Sequence, residues 1–400
     1  MTEPRGRVEE LLSAGNGVLR LDPAFVARDF LPPGRRLGLP EDQYDLGERG
    51  FVCERWLAST TRADNRVGPD DEGLSVISTA DGAGDPLLLR DAVGAAPDLV
   101  MGTAYAAGHP GGLGRLAKIF DFAYRLPFHV HPPAEYAALV GAKPKDEAYH
   151  FLPGVDRGAH PESFLGVHPW LANGGGAEVL LPYLVDWDSD LILRHSRAEL
   201  QVAGEGFLIP SGGLHAPGTA LTLELQEDSD VLSMFQALNG GRIISKDLLF
   251  KDVRDGDREE HGERYPLRFV DWEVNADPLF YEHHHLSPQP VDSTTTGRPD
   301  QSWVFYGTPK FAGKRLRLPA GASAELTEPG VYSVFAWTGS GTVAGHDVEG
   351  GVPGRDELLV SHETATRPHT VVNTGAVGLE LFTLFGPDLH TGTPVVGPAG

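Results

Sequence analysis

The chain carries 50 glycines and 32 prolines, about a fifth of its 400 residues, scattered without a fixed period. Glycine opens the backbone conformations that tight turns need, and proline removes a donor that a helix interior needs. Long helices are therefore a poor fit, and many short strands joined by turns are a good one. With 40% apolar residues the chain can build a core, and its length suggests two or three domains of about 100–200 residues each. The 33 basic residues against 56 acidic ones leave a formal charge of −23. That charge repels a phosphate backbone and makes nucleic acid a poor partner. No run approaches the ~18 apolar residues of a membrane-crossing helix, and the opening MTEPRGRVEELLSAG has no apolar signal segment. Cys53 has no second cysteine to pair with. These features describe a soluble, cytoplasmic, mostly-β protein.

Local patterns place the elements. Val8 to Ser13 reads as a short helix. Asp85-Pro86, an N-cap followed by proline at the first helical position, opens another through Leu88, Leu89, Ala92 and Val93. Residues 111–131 alternate polar and apolar in two runs divided at Arg125-Leu126-Pro127, the mark of half-buried strands. Pro161 to Leu165 reads as a short helix. With the glycine-rich Gly174 to Gly176 it makes the stretch 155–195 an insertion between strands. Strands resume at Ala198 to Ile209 and at Ala220 to Gln226. The charged stretch from Lys246 to Glu263 reads as helix plus loop, and Ser287 to Pro299 as a linker. A second β-rich unit follows from Ser302 to Gly386. It has a strand at Gly330 to Trp337, a turn at Gly339-Ser340-Gly341 and a mostly apolar strand at Leu379 to Phe385.

Three segments carry residues that do chemistry. In Phe128-His129-Val130-His131-Pro132 the two imidazoles are two residues apart, so on a strand they face one side. Lys143 to Tyr149 brings Glu147 within hairpin reach of them. From Gly204 to His215 a glycine turn, a short apolar strand, a bend at Pro210-Ser211-Gly212 and a final histidine follow in order. His129, His131, Glu147 and His215 form a nitrogen and oxygen set suited to Zn²⁺, Fe²⁺, Mn²⁺, Co²⁺ or Ni²⁺, with one or two positions open.

Further segments fall in line with these: Glu54-Arg55-Trp56, Leu116-Ala117-Lys118-Ile119, Pro144-Lys145-Asp146-Glu147, Pro210-Ser211-Gly212-Gly213-Leu214-His215-Ala216 and Glu224-Leu225-Gln226-Glu227-Asp228-Ser229-Asp230. From about residue 19 to 250 they resemble, in order, the motifs of the type I mannose-6-phosphate isomerases, zinc-dependent members of the cupin superfamily. The resemblance implies two cupin jelly rolls with a small helical insertion and one divalent metal ion, zinc first among the candidates. It divides the chain into a metal-binding cupin domain at 1–245 with an insert near 155–195, a charged helix, loop and linker at 246–300, and a degenerate cupin at 301–400. Four departures stand out. His129 replaces the family's glutamine ligand, Pro144 replaces a histidine, and Leu31-Pro32-Pro33-Gly34 replaces Trp-Gly-Gly. Met234 stands in the stretch that supplies the family's arginine, with Arg242 the nearest substitute. Methionine cannot grip a phosphate, so these departures point to a sugar that lacks one.

The implied activity is a metal-dependent aldose–ketose isomerisation through an enediol, on a small carbohydrate. Glu224, on the polar face shared by Thr222 and Gln226, is the candidate general base. Lys145, and with it Lys118, would supply positive charge; both also suit a solvated surface, as the Glu224 face does. Trp56 fits either a sugar platform or a core. His283-His284-His285 precedes the linker and is expected in solvent, while His150 and His168 suit a supporting or a core role. Two other classes stay open: a cupin oxygenase, lyase or hydrolase on a sugar-like substrate, and a non-catalytic sugar-binding cupin.

Overall fold

The computed structural model describes residues 4–78, 86–172, 175–291 and 300–397. Strands dominate, as the glycine and proline content requires, and the chain forms two compact units, each discontinuous in sequence. The terminal unit comprises Met1–Val26, Glu54–Ile119 and Pro288–Val395; the central unit comprises Ala27–Cys53, Phe120–Ser287 and Val396–Gly400. These units do not divide at the expected boundaries near 245 and 301. The reason is pairing: the strand Val18–Asp22 lies antiparallel against Glu357–Val360, with Leu19 opposite Leu359, so the N-terminal strand belongs with C-terminal ones.

In the terminal unit nine strands form one sheet, in the order Gln289–Pro290, Asp300–Phe305, Ala312–Leu318, Leu379–Phe385, Tyr332–Thr338, Glu357–Val360, Val18–Asp22, Val76–Ile77, Leu87–Leu88. A four-stranded sheet holds Ser323–Leu326, His369–Asn373, Ser340–Val343 and His346–Glu349. The helices Pro4–Ala14, Leu89–Ala95 and Pro97–Met101 bury Val8, Leu89, Val93 and Val100 against Leu19, Leu21 and Leu359. Asp85 and residues 292–299 of the expected linker lie outside the described residues.

The central unit also has two layers. One sheet runs Arg197–Leu200, Glu162–Leu165, His215–Ala216, His129–Val130, Ser233–Met234. The other includes, side by side, His285–Leu286, Gly206–Ile209, Glu147–Phe151 and Thr222–Glu227. Gly206 lets the strands approach, since a Cβ there would lie 1.7 Å from the Tyr149 carbonyl oxygen. The helix expected at Pro161 to Leu165 is instead a strand, because Glu162–Leu165 pairs with strands on both sides. The helical insertion lies further on, at Gly176–Asp186, where Leu180 and Leu184 bury against Ile192 and Phe269. The charged stretch after 245 is a short 3-10 turn, Lys246–Leu249, and a helix, Asp255–His261. Among the described residues no helix is long and apolar enough to cross a membrane.

Candidate metal centre

The site lies between the two layers of the central unit. Val130 turns into an apolar cluster with Phe128, Leu214 and Met234, so its neighbours His129 and His131 point the other way, 5% and 1% exposed. Pro132 and Pro133 end the strand because proline has no amide for a ladder. His215, fully buried, is the direct cross-strand neighbour of His129. The bend before it depends on Gly212, whose φ of +85° suits glycine and whose Cβ would meet the Phe269 carbonyl oxygen at 3.1 Å. Gly212 N donates to the His131 carbonyl at 2.8 Å. The buried Asn275 braces the same bend, donating to the Gly212 carbonyl and accepting from Leu214 N, both at 2.7 Å.

Each imidazole is clamped the same way. Nδ1 of His129 lies 2.6 Å from the Pro127 carbonyl, Nδ1 of His131 2.7 Å from that of Val231, and Nδ1 of His215 2.9 Å from that of Gly213. A carbonyl only accepts, so Nδ1 carries the proton and Nε2 keeps its lone pair. One ring nitrogen from each of the three lies within 4.8 Å of the others, the one such group of three or more ligand residues among the described residues.

Glu147 reaches two of the three. Its Oε2 is 3.0 Å from His131 Nε2 and its Oε1 2.9 Å from His215 Nε2. These contacts bring lone pair against lone pair, which is repulsive unless a positive centre lies beside them. The Lys145 ammonium is one for His131 and Glu147 Oε2, whereas the buried His215 Nε2 has no hydrogen-bond partner among the described residues. A proton on His131 is a poor answer, because burial and then the Lys145 charge push that imidazole down to about 4. Burial, with the neighbouring imidazoles, also pushes His129 well below its ordinary value. Burial alone would raise Glu147, yet Lys145 and the two histidines hold its carboxyl well below the usual range. Neutral imidazoles and an ionised carboxylate are the ligand forms of these groups, and a divalent cation fits the three imidazoles, with Glu147 beside two of them.

Around this set the second layer adds charge. Lys145 is buried, with Nζ 2.7 Å from Glu147 Oε2, 3.2 Å from His131 Nε2 and 3.3 Å from Glu224 Oε1. Glu224 stands opposite Tyr149, and Gln226 opposite Glu147. The polar face of that strand is thus interior: Thr222, Glu224 and Gln226 are 0%, 2% and 0% exposed. Sequence reasoning missed Tyr149 and Asn275. Tyr149 donates its hydroxyl to Glu147 Oε1, and its spacing of two from Glu147 on a strand was the available signal.

Other candidates fall elsewhere. Met234 is buried in the apolar cluster, and Arg242 is exposed on its short strand. His150 is buried and His168 half-buried. The triplet expected in solvent is individually engaged: His283 with Asp277, His284 with the Leu208 carbonyl at 2.9 Å, and His285 with Glu205 at 2.7 Å. In the terminal unit Trp56 is a core residue that donates to Glu54 at 2.8 Å, and Lys118 is buried 3.8 Å from that carboxylate.

No protein-family model matches this sequence, and no curated protein does. Solved structures do. A zinc-bound mannose 6-phosphate isomerase matches with a TM-score of 0.61 at 13% identity, covering 93% of this chain and 100% of that one. The mannose 6-phosphate isomerase of Bacillus subtilis matches with 0.58 at 16%, covering 92% and 99%. A single-residue variant of the Salmonella typhimurium phosphomannose isomerase matches with 0.60 at 13%, covering 93% and 100%. Over almost its whole length the chain has the fold of these isomerases.

Proposed function

We propose that this chain is a divergent, metal-dependent aldose–ketose isomerase of the mannose-6-phosphate isomerase type, acting on a sugar without phosphate. The single observation that carries the reading is the convergence of three Nδ1-clamped imidazoles, two of them against the Glu147 carboxylate, inside a fold shared with those isomerases. His129, His131, Glu147 and His215 would hold one divalent cation, zinc first among the candidates. Such a cation, when bound, supplies Lewis acidity toward a sugar carbonyl.

The chain's own residues supply the rest. Glu224 carries the proton between C1 and C2 as the sugar passes through an enediol. Lys145, 3.3 Å away, adds positive charge beside the oxygens where negative charge develops. A phosphate would need a guanidinium or free ammonium. Met234 is turned into apolar packing and Lys145 is already shared by two carboxylates, which favours a neutral polyol.

The test is exchange of the C2 proton with deuterated water, followed by NMR, for free and phosphorylated aldoses, with metal content measured on the same sample. Exchange on a free aldose with zinc retained is the expected result; exchange confined to phosphorylated sugars would reject the substrate assignment. The three-imidazole donor set, richer in nitrogen than the family's, also suits iron. Oxygen-dependent turnover by an iron-loaded sample, without proton exchange, would favour an oxygenase instead.

A further inference from the structure

Each carbonyl that clamps an imidazole belongs to a peptide unit, and a trans peptide is a rigid plane whose N–H points opposite to its C=O. Whatever grips the N–H therefore aims the C=O. The three carbonyls belong to Pro127, Val231 and Gly213, so the amides that share their planes are those of Phe128, Leu232 and Leu214. Each of these amides donates to a side-chain oxygen. Phe128 N meets Gln236 Oε1 at 3.0 Å, Leu232 N meets Asp252 Oδ2 at 2.7 Å, and Leu214 N meets Asn275 Oδ1 at 2.7 Å. The same chain of bonds is thus built three times, from a side-chain oxygen through one peptide to Nδ1, and it leaves each Nε2 with its lone pair.

The three oxygens are themselves held in place. Gln236 and Asn275 are buried. Gln236 lies just past the strand Ser233–Met234, which pairs with His129–Val130. Its Nε2 donates to the Leu238 carbonyl at 2.7 Å, so the oxygen end of the amide faces Phe128. Asn275 ends the short helix Trp272–Asn275, and its Nδ2 donates to the Gly212 and Asp271 carbonyls at 2.7 and 2.6 Å. The Asn275 carbonyl also accepts from Val167 N at 2.8 Å and from Arg197 Nη2 at 2.7 Å. This residue therefore ties the bend before His215 to the chain that follows Leu165, the cross-strand neighbour of His215. Asp252 is half-buried, with Lys251 Nζ 3.3 Å from the oxygen that Leu232 uses. Its chain of bonds ends on a carboxylate, whereas those to His129 and His215 end on neutral amides.

Taking the three imidazoles as the metal ligands proposed above, we propose that Gln236, Asp252 and Asn275 are the positioning residues of the centre, one for each histidine. Each fixes a peptide plane, the plane fixes the partner of Nδ1–H, and the ring is left with one tautomer and one tilt. Polarisation along such a chain of bonds also strengthens the imidazole as a donor, most of all at His131, whose chain ends on an anion. Without the oxygen the peptide is free to turn, and the ring loses the carbonyl that selects its tautomer.

The test uses the full chain, with zinc alone as the probe. Gln236→Met, Asp252→Ala and Asn275→Ala each remove one oxygen, and Asp252→Asn keeps an oxygen while removing the charge. Nitrogen-15 NMR of chelated protein reads the imidazole tautomers, each ring's signals being assigned by their loss from His129→Gln, His131→Ala or His215→Ala. The wild type should show all three rings protonated at Nδ1. Each variant should disturb one ring: His129 in Q236M, His131 in D252A and His215 in N275A. Competition titration should show zinc bound about tenfold more weakly in each, the low end of the 10–100-fold that a directly bonded outer partner costs, with most of it restored in D252N. Asp252 is half-buried, so D252A and D252N decide the matter if the other two variants do not fold. Variants that lose urea stability but keep wild-type tautomers and zinc affinity would overturn the assignment, as would a variant that disturbs all three rings alike. A wild type that takes up no zinc would instead reject the metal centre on which the assignment rests.

Discussion

Replacing Lys145 with methionine keeps the stem of the side chain and deletes its charge. In the wild type the ammonium lies 2.7 Å from Glu147 and 3.3 Å from Glu224. At an effective dielectric of about 20 these attractions are about 6 and 5 kcal/mol. The cost of burying the charges offsets most of that, and breaking a buried pair typically costs about 3–5 kcal/mol. The full loss is expected in chelated protein, where Glu147 and Glu224 lose their shared ammonium. With a divalent cation bound, Glu147 keeps a positive neighbour and the loss should shrink. By linkage, the difference between the two losses is the gain in metal affinity of the variant. We expect that difference to be at least about 1.4 kcal/mol, or tenfold tighter binding. The assay is urea unfolding of wild type and K145M, chelated and zinc-loaded, with a competition titration of zinc affinity. Equal losses in both states with unchanged affinity would refute the placement of Lys145 beside a cation-binding carboxylate.

Other substitutions separate the roles of the site. His131→Ala and His215→Ala should each abolish metal retention, while His129→Gln, which restores the amide of the resembling family, should keep it; metal analysis after a sizing column reads all three. Glu224→Gln should retain metal and lose turnover, and unchanged C2 proton exchange would clear Glu224 of the base role. In chelated protein, His131 has a folded value of about 4 against 6.5 unfolded. The unfolded chain therefore binds the extra proton between those values, so stability should be full above about 6.5 and fall on acidification toward 4. The His131 share of the fall is up to about 3 kcal/mol, and a fall smaller by about that amount in His131→Ala, where the buried His129 still contributes its own, would identify the source in urea melts at stepped pH.

Much of the site was legible because its ligands lie in short local patterns. His-x-His on a strand, the Pro-x-Gly bend before His215 and the carboxylate of Glu147 each follow from spacing, and their meeting follows from pairing of the strands. The surroundings were less legible, since they depend on contacts distant in sequence. Alternation at Thr222, Glu224 and Gln226 separates two faces of a strand but does not say that both are interior; here Leu221, Leu223 and Leu225 are buried too, and the polar face lines the site. Pro161 suggested a helix start, yet neighbours at Arg197 and His215 make Glu162–Leu165 a strand. His283 is exposed as expected, whereas His284 and His285 are half-buried on the Leu208 carbonyl and Glu205, partners distant in sequence. The division into units was hidden for the same reason, since Val18–Asp22 finds its partner more than 300 residues away.

The central claim is that one cation lies among four side chains from three separated segments, and X-ray absorption at the metal edge of a purified, zinc-loaded sample tests it most directly. The account predicts one zinc per chain with a shell of three imidazole nitrogens and one oxygen at about 2.0–2.2 Å, and loss of an imidazole from that shell in His215→Ala. A sample that retains no zinc, or a shell with the same imidazole count in wild type and variant, would contradict it.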